Sequence, residues 1–383
     1  MSTRYPTRRS MTLGLASLMA CPRPGSAQDR PIAAPGQRSD GWPVTTAEPA
    51  AVDADRMRAM VEWLDGLRSS NVHSVLVVRA GQLAFEHYRR GSDWSWQTPL
   101  PDAMHGPDVL HDMRSISKSI TSLLVGIALD RKLIGSIDEA VFTYFPEYSD
   151  LRTPEKNRIT LRHLLTMSTG LEWDEYLPYN NPNNSEIAMI RSGDRWRFAL
   201  QPRLAVEPGS EWNYSGGCTE LLGAVVSKVA GHPLDEFAQE ALFAPLGISS
   251  VEWARYPDKL PAAASGLRLR SRDLAKLGQL VLARGLWDAT QVVSASWIEA
   301  STKPQIGPAD RIYFYGYQWW LGRSLIKGRE IAWIAGFGLG GQRLFIVPTL
   351  DLICVITAGH YNQPMQNWLP NVIFNRYVLA GVA

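Results

Sequence analysis

Short β-rich segments cluster near the two ends of this 383-residue chain, and helical patterns fill the middle. A sheet built from such a chain must join early strands to late ones, with the intervening helices packed beside it. At the early end, residues 72–78 and 83–88 flank Arg79-Ala80-Gly81-Gln82, a pattern that predicts a hairpin. At the late end, residues 313–320, 331–334, 342–347 and 352–357 are β-rich runs separated by Gly or Pro turns. Between and around them, apolar spacing predicts helices over 53–68, 116–129, 159–168, 219–230 and 271–284. A last helix over 366–379 is expected to cover a sheet face. The expected fold is therefore α/β of the α+β kind, an antiparallel sheet flanked by helices. Residues 53–140 and 265–383 would form the α/β part, and 141–264 a mostly helical region.

Composition allows a large core: 45% of residues are hydrophobic and 20% charged, which excludes a disordered or fibrous chain. The first 27 residues read as an export signal. Arg4, Arg8 and Arg9 precede a mostly apolar stretch, and Gly25-Ser26-Ala27 offers a cleavage point. Arg8-Arg9 is similar to a twin-arginine signal, implying the bacterial periplasm or secretion, and Cys21 follows a weak lipoprotein-like box. This segment carries four arginines and no acid, so without it the formal charge turns from +2 to −2. Residues 28–52, rich in Pro and Ala, read as an irregular leader. No run is long and apolar enough to span a bilayer, and no Lys/Arg cluster points to nucleic acid. The three cysteines suggest neither a disulfide framework nor a metal cluster, and the seven histidines contain no His-Glu-x-x-His pattern. No cofactor and no metal are expected.

The chemistry is concentrated in three separated segments. In Ser115-Ile116-Ser117-Lys118, serine and lysine lie one helical turn apart on one face. A serine hydroxyl is a weak nucleophile that needs a base within about 3 Å. Lysine serves as that base when desolvation and nearby positive charge lower its pKa. The second segment, Tyr214-Ser215-Gly216 at a loop–helix junction, can aim a phenol into a cleft, where it relays protons. The third runs from Trp333 through Gly336-Phe337-Gly338-Leu339-Gly340-Gly341-Gln342, a strand entering a glycine-rich turn. A backbone N–H there can join that of Ser115 as an oxyanion hole.

Together, Ser115-x-x-Lys118, Tyr214-Ser215-Gly216 and Gly338-Leu339-Gly340-Gly341-Gln342 resemble the three motifs of penicillin-recognising serine hydrolases. The segments Leu161-Arg162-His163-Leu164-Leu165 and Ser271-Arg272-Asp273-Leu274 also resemble the class C β-lactamase-like branch. Within it, the 6-aminohexanoate-dimer hydrolases and esterases look nearest. The resemblance covers roughly residues 55–380 and implies a β-lactamase/transpeptidase-like fold. It implies Ser115 as the acylated nucleophile, Lys118 as its base and Tyr214 as proton shuttle. The second oxyanion amide falls on Leu339 by one register and on Gly336 by another.

Two departures stand out. Gly216 replaces the Asn of Tyr-x-Asn, and Trp333-Ile334-Ala335 or its neighbours replace Lys-Thr-Gly. The third segment thus lacks a cation for a substrate carboxylate, which argues against efficient penicillin turnover. The implied activity is hydrolysis of a small linear amide or ester, the expected partner. A weak β-lactamase or D-Ala-D-Ala carboxypeptidase, or a silent binding protein, are the alternatives. Tyr176 in the polar loop 170–185, Trp333 and His360 are candidate substrate contacts, and His163 and Asp273 are expected to be structural.

Overall fold

The computed structural model describes residues 33–307 and 312–383; the expected export signal and Cys21 lie outside the described residues. Residues 33–52 are irregular, yet Trp42 is buried and its indole Nε1 donates to Arg272 O at 3.0 Å, anchoring this stretch on the fold.

In chain order the first elements are helix α1 (Ala54–Gly66) and strands β1 (Val72–Arg79), β2 (Gln82–Tyr88), β3 (Arg90–Ser95), β4 (Thr98–Met104) and β5 (Leu110–Asp112). Then come helices α2 (Ile116–Asp130), α3 (Leu161–Leu165), α4 (Ser185–Arg191), α5 (Arg195–Leu200), α6 (Gly216–Ala230) and α7 (Leu234–Ala238). Strands β6 (Val251–Trp253) and β7 (Leu267–Arg270), helix α8 (Ser271–Leu282), the short strands β8 (Leu286–Trp287) and β9 (Thr290–Gln291) and helix α9 (Ala295–Ser301) follow. The chain closes with β10 (Phe314–Tyr315), β11 (Trp320–Ile326), β12 (Arg329–Gly338), β13 (Gln342–Val347), β14 (Leu352–Ala358) and α10 (Met365–Val372), which continues as a π-helical segment.

The main sheet has seven strands in the order β10-β11-β12-β13-β14-β1-β2, and every neighbouring pair is antiparallel. The two ends of the chain meet where Val75 of β1 pairs with Ile356 of β14. The β1–β2 hairpin closes through Ala80 and Gly81, both at positive φ (49° and 72°), the geometry that suits the twist of a two-residue hairpin turn. Strands β13 and β14 are buried at every position. Helices cover both faces: α8 packs on β13, β14 and β1, whereas α10 packs on β13 and Phe374 stacks on Phe345 at 3.8 Å. Burial on both faces explains why Leu344–Val347 and Leu352–Ile356 within them read as continuous apolar runs.

Helix α2 is buried from Ile116 to Ala128, packed between the sheet and α6. Its polar side chains are bonded outward: Ser119 Oγ donates to Gln318 O at 2.7 Å and Thr121 Oγ1 to Ala263 O at 3.1 Å, while Ser117 Oγ accepts from Leu267 N at 3.2 Å. These bonds fix the rotation of the helix that carries Ser115 at its cap.

The expected strand over 313–320 is corrected. It is a two-residue strand, a turn with Gln318 at φ 65°, and the start of β11. Gln318 turns inward, accepting from Thr219 Oγ1 and donating to Leu164 O and Leu165 O, so its backbone cannot continue the ladder. Strand β12 is longer than expected, because Gly336, Phe337 and Gly338 stay in the sheet and only residues 339–341 turn. The β3–β4 hairpin and the small sheet β5-β7-β6 had no clear pattern in the sequence.

Candidate active site

Ser115 caps α2 with helical angles (φ −65°, ψ −5°), and its hydroxyl makes no capping bond. The preceding Arg114 has φ 50°, a left-handed conformation uncommon outside glycine, which swings the chain from β5 into the helix. The free hydroxyl meets Lys118 instead: Nζ donates to Ser115 Oγ at 3.1 Å and to Ala264 O at 3.1 Å. Lys118 is 1% exposed. Tyr214 stands beside both side chains, with the ammonium 5.0 Å from its ring centroid. Ser115, Lys118 and Tyr214 are thus brought together by α2 and the start of α6.

The surroundings of Lys118 differ from expectation. No cation lowers its pKa. Burial works against the ammonium, but Tyr214, Glu175 and Glu186 outweigh that and hold it above the ordinary lysine range. Burial raises the Tyr214 phenol, opposed by Lys118. Glu175 is pushed up to about 8 by burial and by Glu186, against the pull of Lys118. Its Oε2 accepts from Gly216 N at 2.7 Å and Trp173 Nε1 at 2.9 Å, while Oε1 has no hydrogen-bond partner.

This crowding accounts for Gly216. A Cβ there would stand 3.1 Å from Glu186 Oε1 and 3.3 Å from Glu175 Oε2. The space beside that residue belongs to two carboxylates, so an asparagine would not fit without displacing them.

Ser115 and Leu339 line one cavity of about 610 Å³. Leu339 belongs to the β12–β13 turn, where Gly340 and Gly341 take φ values of 88° and 103° that side chains disfavour. The turn is held from several sides. Gly340 N donates to Gln366 Oε1 at 3.0 Å, Gly341 N to Gly338 O at 3.3 Å, and buried Gln342 Nε2 to Leu339 O at 3.0 Å. Arg343 braces it from behind, donating to Gly338 O at 3.2 Å and Gln366 O at 3.0 Å. Gly336, the other register, lies within β12 under α2, where a Cβ would meet Ile116 at 3.2 Å; it does not line the cavity.

Three expected substrate contacts lie elsewhere. Tyr176 is 71% exposed and outside the cavity; Tyr179, three residues on, lines it together with Glu186. Trp333 is buried beside Phe337 and Phe345 because strand alternation turns it away from α2, and its indole donates to Ser324 Oγ at 3.0 Å. His360 is buried and accepts from Asn71 N at 3.0 Å, while its neighbour Tyr361 faces the cavity. As expected for structural roles, His163 accepts from Thr160 N at 3.1 Å in a capping box, and Asp273 pairs with Arg270 at 2.5 Å.

The expectation of a site without a cation holds for the third segment alone. Arg114 and Arg191 line the cavity from other elements, opposite in sign to Glu186, with Trp94, Trp96, Ile187 and Ile190 as apolar walls. Arg114 is partly engaged, with Nε 3.1 Å from Asp112 Oδ2 and its guanidinium 4.8 Å from the Tyr361 ring. Sequence reasoning missed Glu175, Glu186, Tyr179 and Arg114. The substitution of Gly216 for an amide was the one signal that another polar group occupies its place.

Residues 63–368, most of the chain, match the Beta-lactamase family. The chain belongs to that family. Its sequence is 26% identical over 362 residues to the 6-aminohexanoate-dimer hydrolase of Paenarthrobacter ureafaciens, spanning 88% of this chain and 84% of that one. Two Beta-lactamase-like folds among solved structures superpose well. A Bacillus anthracis protein provisionally named a 6-aminohexanoate-dimer hydrolase has a TM-score of 0.66 at 21% identity, over 81% of this chain and 79% of that one. EstCE1, a hydrolase with promiscuous acyltransferase activity, has a TM-score of 0.67 at 16% identity, over 86% of this chain and 100% of that one.

Proposed function

We propose that this protein is a serine hydrolase that cleaves small linear amides or esters through an acyl-enzyme on Ser115. The observation that carries this reading is the contact of the uncapped Ser115 hydroxyl with Lys118 at 3.1 Å, beside Tyr214 and in the wall of a cavity large enough for a small substrate. The substrate carbonyl carbon accepts Ser115 Oγ, and the hydroxyl proton passes to the Tyr214–Lys118 pair. Because its neighbours keep Lys118 an ammonium, the proton acceptor is the minor phenolate form of Tyr214, which burial opposes and Lys118 favours, and the ammonium also stabilises the negative charge on Oγ. The N–H groups of Ser115 and Leu339 receive the developing oxyanion. Collapse breaks the C–N or C–O bond as Tyr214 returns the proton to the leaving group. Water then repeats the sequence on the acyl-enzyme and frees the acid.

The lining of the cavity supports this choice of substrate class. Apolar walls with Arg191 and Glu186 on α4 suit a flexible chain bearing charged ends, of the 6-aminohexanoate-oligomer kind. The 26%-identical relative, named for that substrate, supports the choice. A panel of a nitrophenyl butyrate, the linear 6-aminohexanoate dimer and nitrocefin tests it. Turnover of the first two well above nitrocefin is expected. Nitrocefin turned over fastest would favour a β-lactamase, and no turnover of any would favour a silent binding protein.

A further inference from the structure

Behind the cavity wall lies a second group of ionisable side chains that the acyl-transfer chemistry does not use. His73 on β1, Asp93 on β3, His105 just after β4 and His111 on β5 are all buried, and one potential ligand atom from each lies within 4.8 Å of the others.

The hydrogen bonds around them fix the imidazole tautomers. Asn71 Nδ2 donates to Ser92 O at 2.8 Å, so its Oδ1, 2.9 Å from His73 Nε2, can only accept. His73 therefore carries its proton on Nε2 and presents a bare Nδ1. His111 Nδ1 lies 3.1 Å from the carbonyl of Asp112, also an acceptor, so its bare nitrogen is Nε2. Those two bare nitrogens are 2.8 Å apart. Two lone pairs facing each other in a buried site repel unless a shared proton or a metal ion serves both. A proton would satisfy that pair alone. Yet Asp93 Oδ2, 3.4 Å from His111 Nε2, and His105 Nε2 also have no hydrogen-bond partner. Four potential ligand atoms thus lie within 4.8 Å of one another, and a metal ion drawn in among them would serve all four.

The outer contacts match those of a built site. Each of two histidines gives its other N–H to an oxygen, the arrangement that orients metal-bound imidazoles. Asp93 Oδ1 accepts from Tyr361 OH at 2.9 Å. Backbone was cleared to make room: a Cβ at Gly91 would stand 2.6 Å from His73 Nε2, and one at Gly359 2.4 Å from Asn71 Nδ2.

We propose that His73, His105, His111 and Asp93 form a closed four-ligand site for one zinc-class divalent ion. Three imidazoles and one carboxylate suit zinc, and a fourth protein ligand leaves no position for a reacting water, which makes the ion structural. Its place gives it a task. It would tie β1 and β5 to the β3–β4 hairpin that presents Trp94 and Trp96 to the cavity. Through Asp93 and Tyr361 it would also brace Arg114, the residue before Ser115. The sequence held no metal motif because the four ligands come from separate strands and loops.

Metal analysis of the purified full-length protein, stripped with a strong chelator and reloaded with Zn2+ or Co2+, tests the site. Binding of about one ion per chain is expected, with a Tm that falls on stripping and recovers with Zn2+. The Co2+ form should show the visible absorption of a four-coordinate site. His105→Gln should lose the ion and that spectrum, while Ser115 still reacts with a fluorophosphonate. Stripping should raise KM for an ester more than it lowers kcat, since the ion positions the wall and takes no part in the reaction. A stripped parent protein that keeps its Tm and binds less than about 0.1 equivalent of either ion would overturn the proposal, leaving a shared proton to hold the cluster.

Discussion

Around Ser115, Lys118 sits among Tyr214, Glu175 and Glu186, so positive and negative groups share the burial; behind the same wall, His73, His105 and His111 converge with Asp93 and include no cation of their own. In the first cluster the compensating charge is part of the chain. A buried charge without a partner is costly, and Lys118 meets that cost for the two carboxylates while its own charge is held in place by them. Protons can then move within the group, from Ser115 to Tyr214 and on to a leaving group, without a change in net charge. In the second cluster every inward-facing atom is an acceptor, so compensation has to come from outside. The sign balance of a buried cluster thus separates a site that does acid–base chemistry from one that holds an ion.

The largest effect that can break this comparison is loss of the nucleophile. Ser115→Ala should lower kcat on a nitrophenyl ester by at least about 10³-fold while leaving the thermal melt unchanged. Equal kcat in variant and parent would end the assignment. Next comes the cation of the first cluster. Lys118→Ala should slow acylation by about 10²-fold or more, and because it leaves Glu175 and Glu186 uncompensated it should also lower Tm, both readable by stopped flow and calorimetry.

Substrate shape should matter by a similar factor. Short aliphatic esters or amides should exceed benzylpenicillin in kcat/KM by at least about 10²-fold, or roughly 2.7 kcal/mol. The physical reason is that no residue of β12 lines the cavity with a cation, whereas a flexible chain with a charged end would extend to Arg191 on α4 more readily than a rigid bicycle would. Parity between the two would show that Arg114 or Arg191 serves a lactam carboxylate.

A smaller effect separates the roles within the cluster. Tyr214→Phe should slow amides about tenfold more than activated esters, since an amine must be protonated as it departs and a nitrophenolate need not be. Equal losses would reduce Tyr214 to orienting Lys118.

The smallest effect is a slope. Glu175, pushed up to about 8 from an ordinary 4.5, binds its proton more tightly in the folded state. Its contribution to stability is complete below about pH 4.5 and is lost as pH rises through 8. In Glu175→Gln that loss disappears, so the Tm of the variant relative to the parent should climb between about pH 5 and pH 9. A constant difference across that range would mean Glu175 is ionised throughout and ion-paired with Lys118.

How far the sequence revealed these features depended on whether the signal was local. Strand β13 (Gln342–Val347) was readable to the residue because Leu344–Val347 is an apolar, β-rich run and the ends are marked by Gly341 and Pro348. The Ser115–Lys118 pair was readable because helical spacing alone brings the two together. The β3–β4 hairpin was not, since β4 carries Pro99 and Pro101 and is almost wholly exposed, which removes any alternation. Glu175 and Glu186 resembled solvated charges in and beside a polar loop until the fold closed α6 over them. That loop was recognised as relevant, but the choice fell on Tyr176, whose ring faces outward, while Glu175 and Tyr179 face the site. Trp333 and His360 failed for a shared reason: a one-residue step along a strand or its exit reverses a side chain, and sequence alone did not set the parity.

The most direct test of the central claim is the mass of the adduct formed when the protein is trapped with a fluorophosphonate or a slowly hydrolysed ester, followed by peptide mapping. The expected result is one adduct per chain, on the peptide containing Ser115, absent from Ser115→Ala and slowed in Tyr214→Phe. An adduct on another residue, or turnover that persists with Ser115 unmodified, would contradict the account.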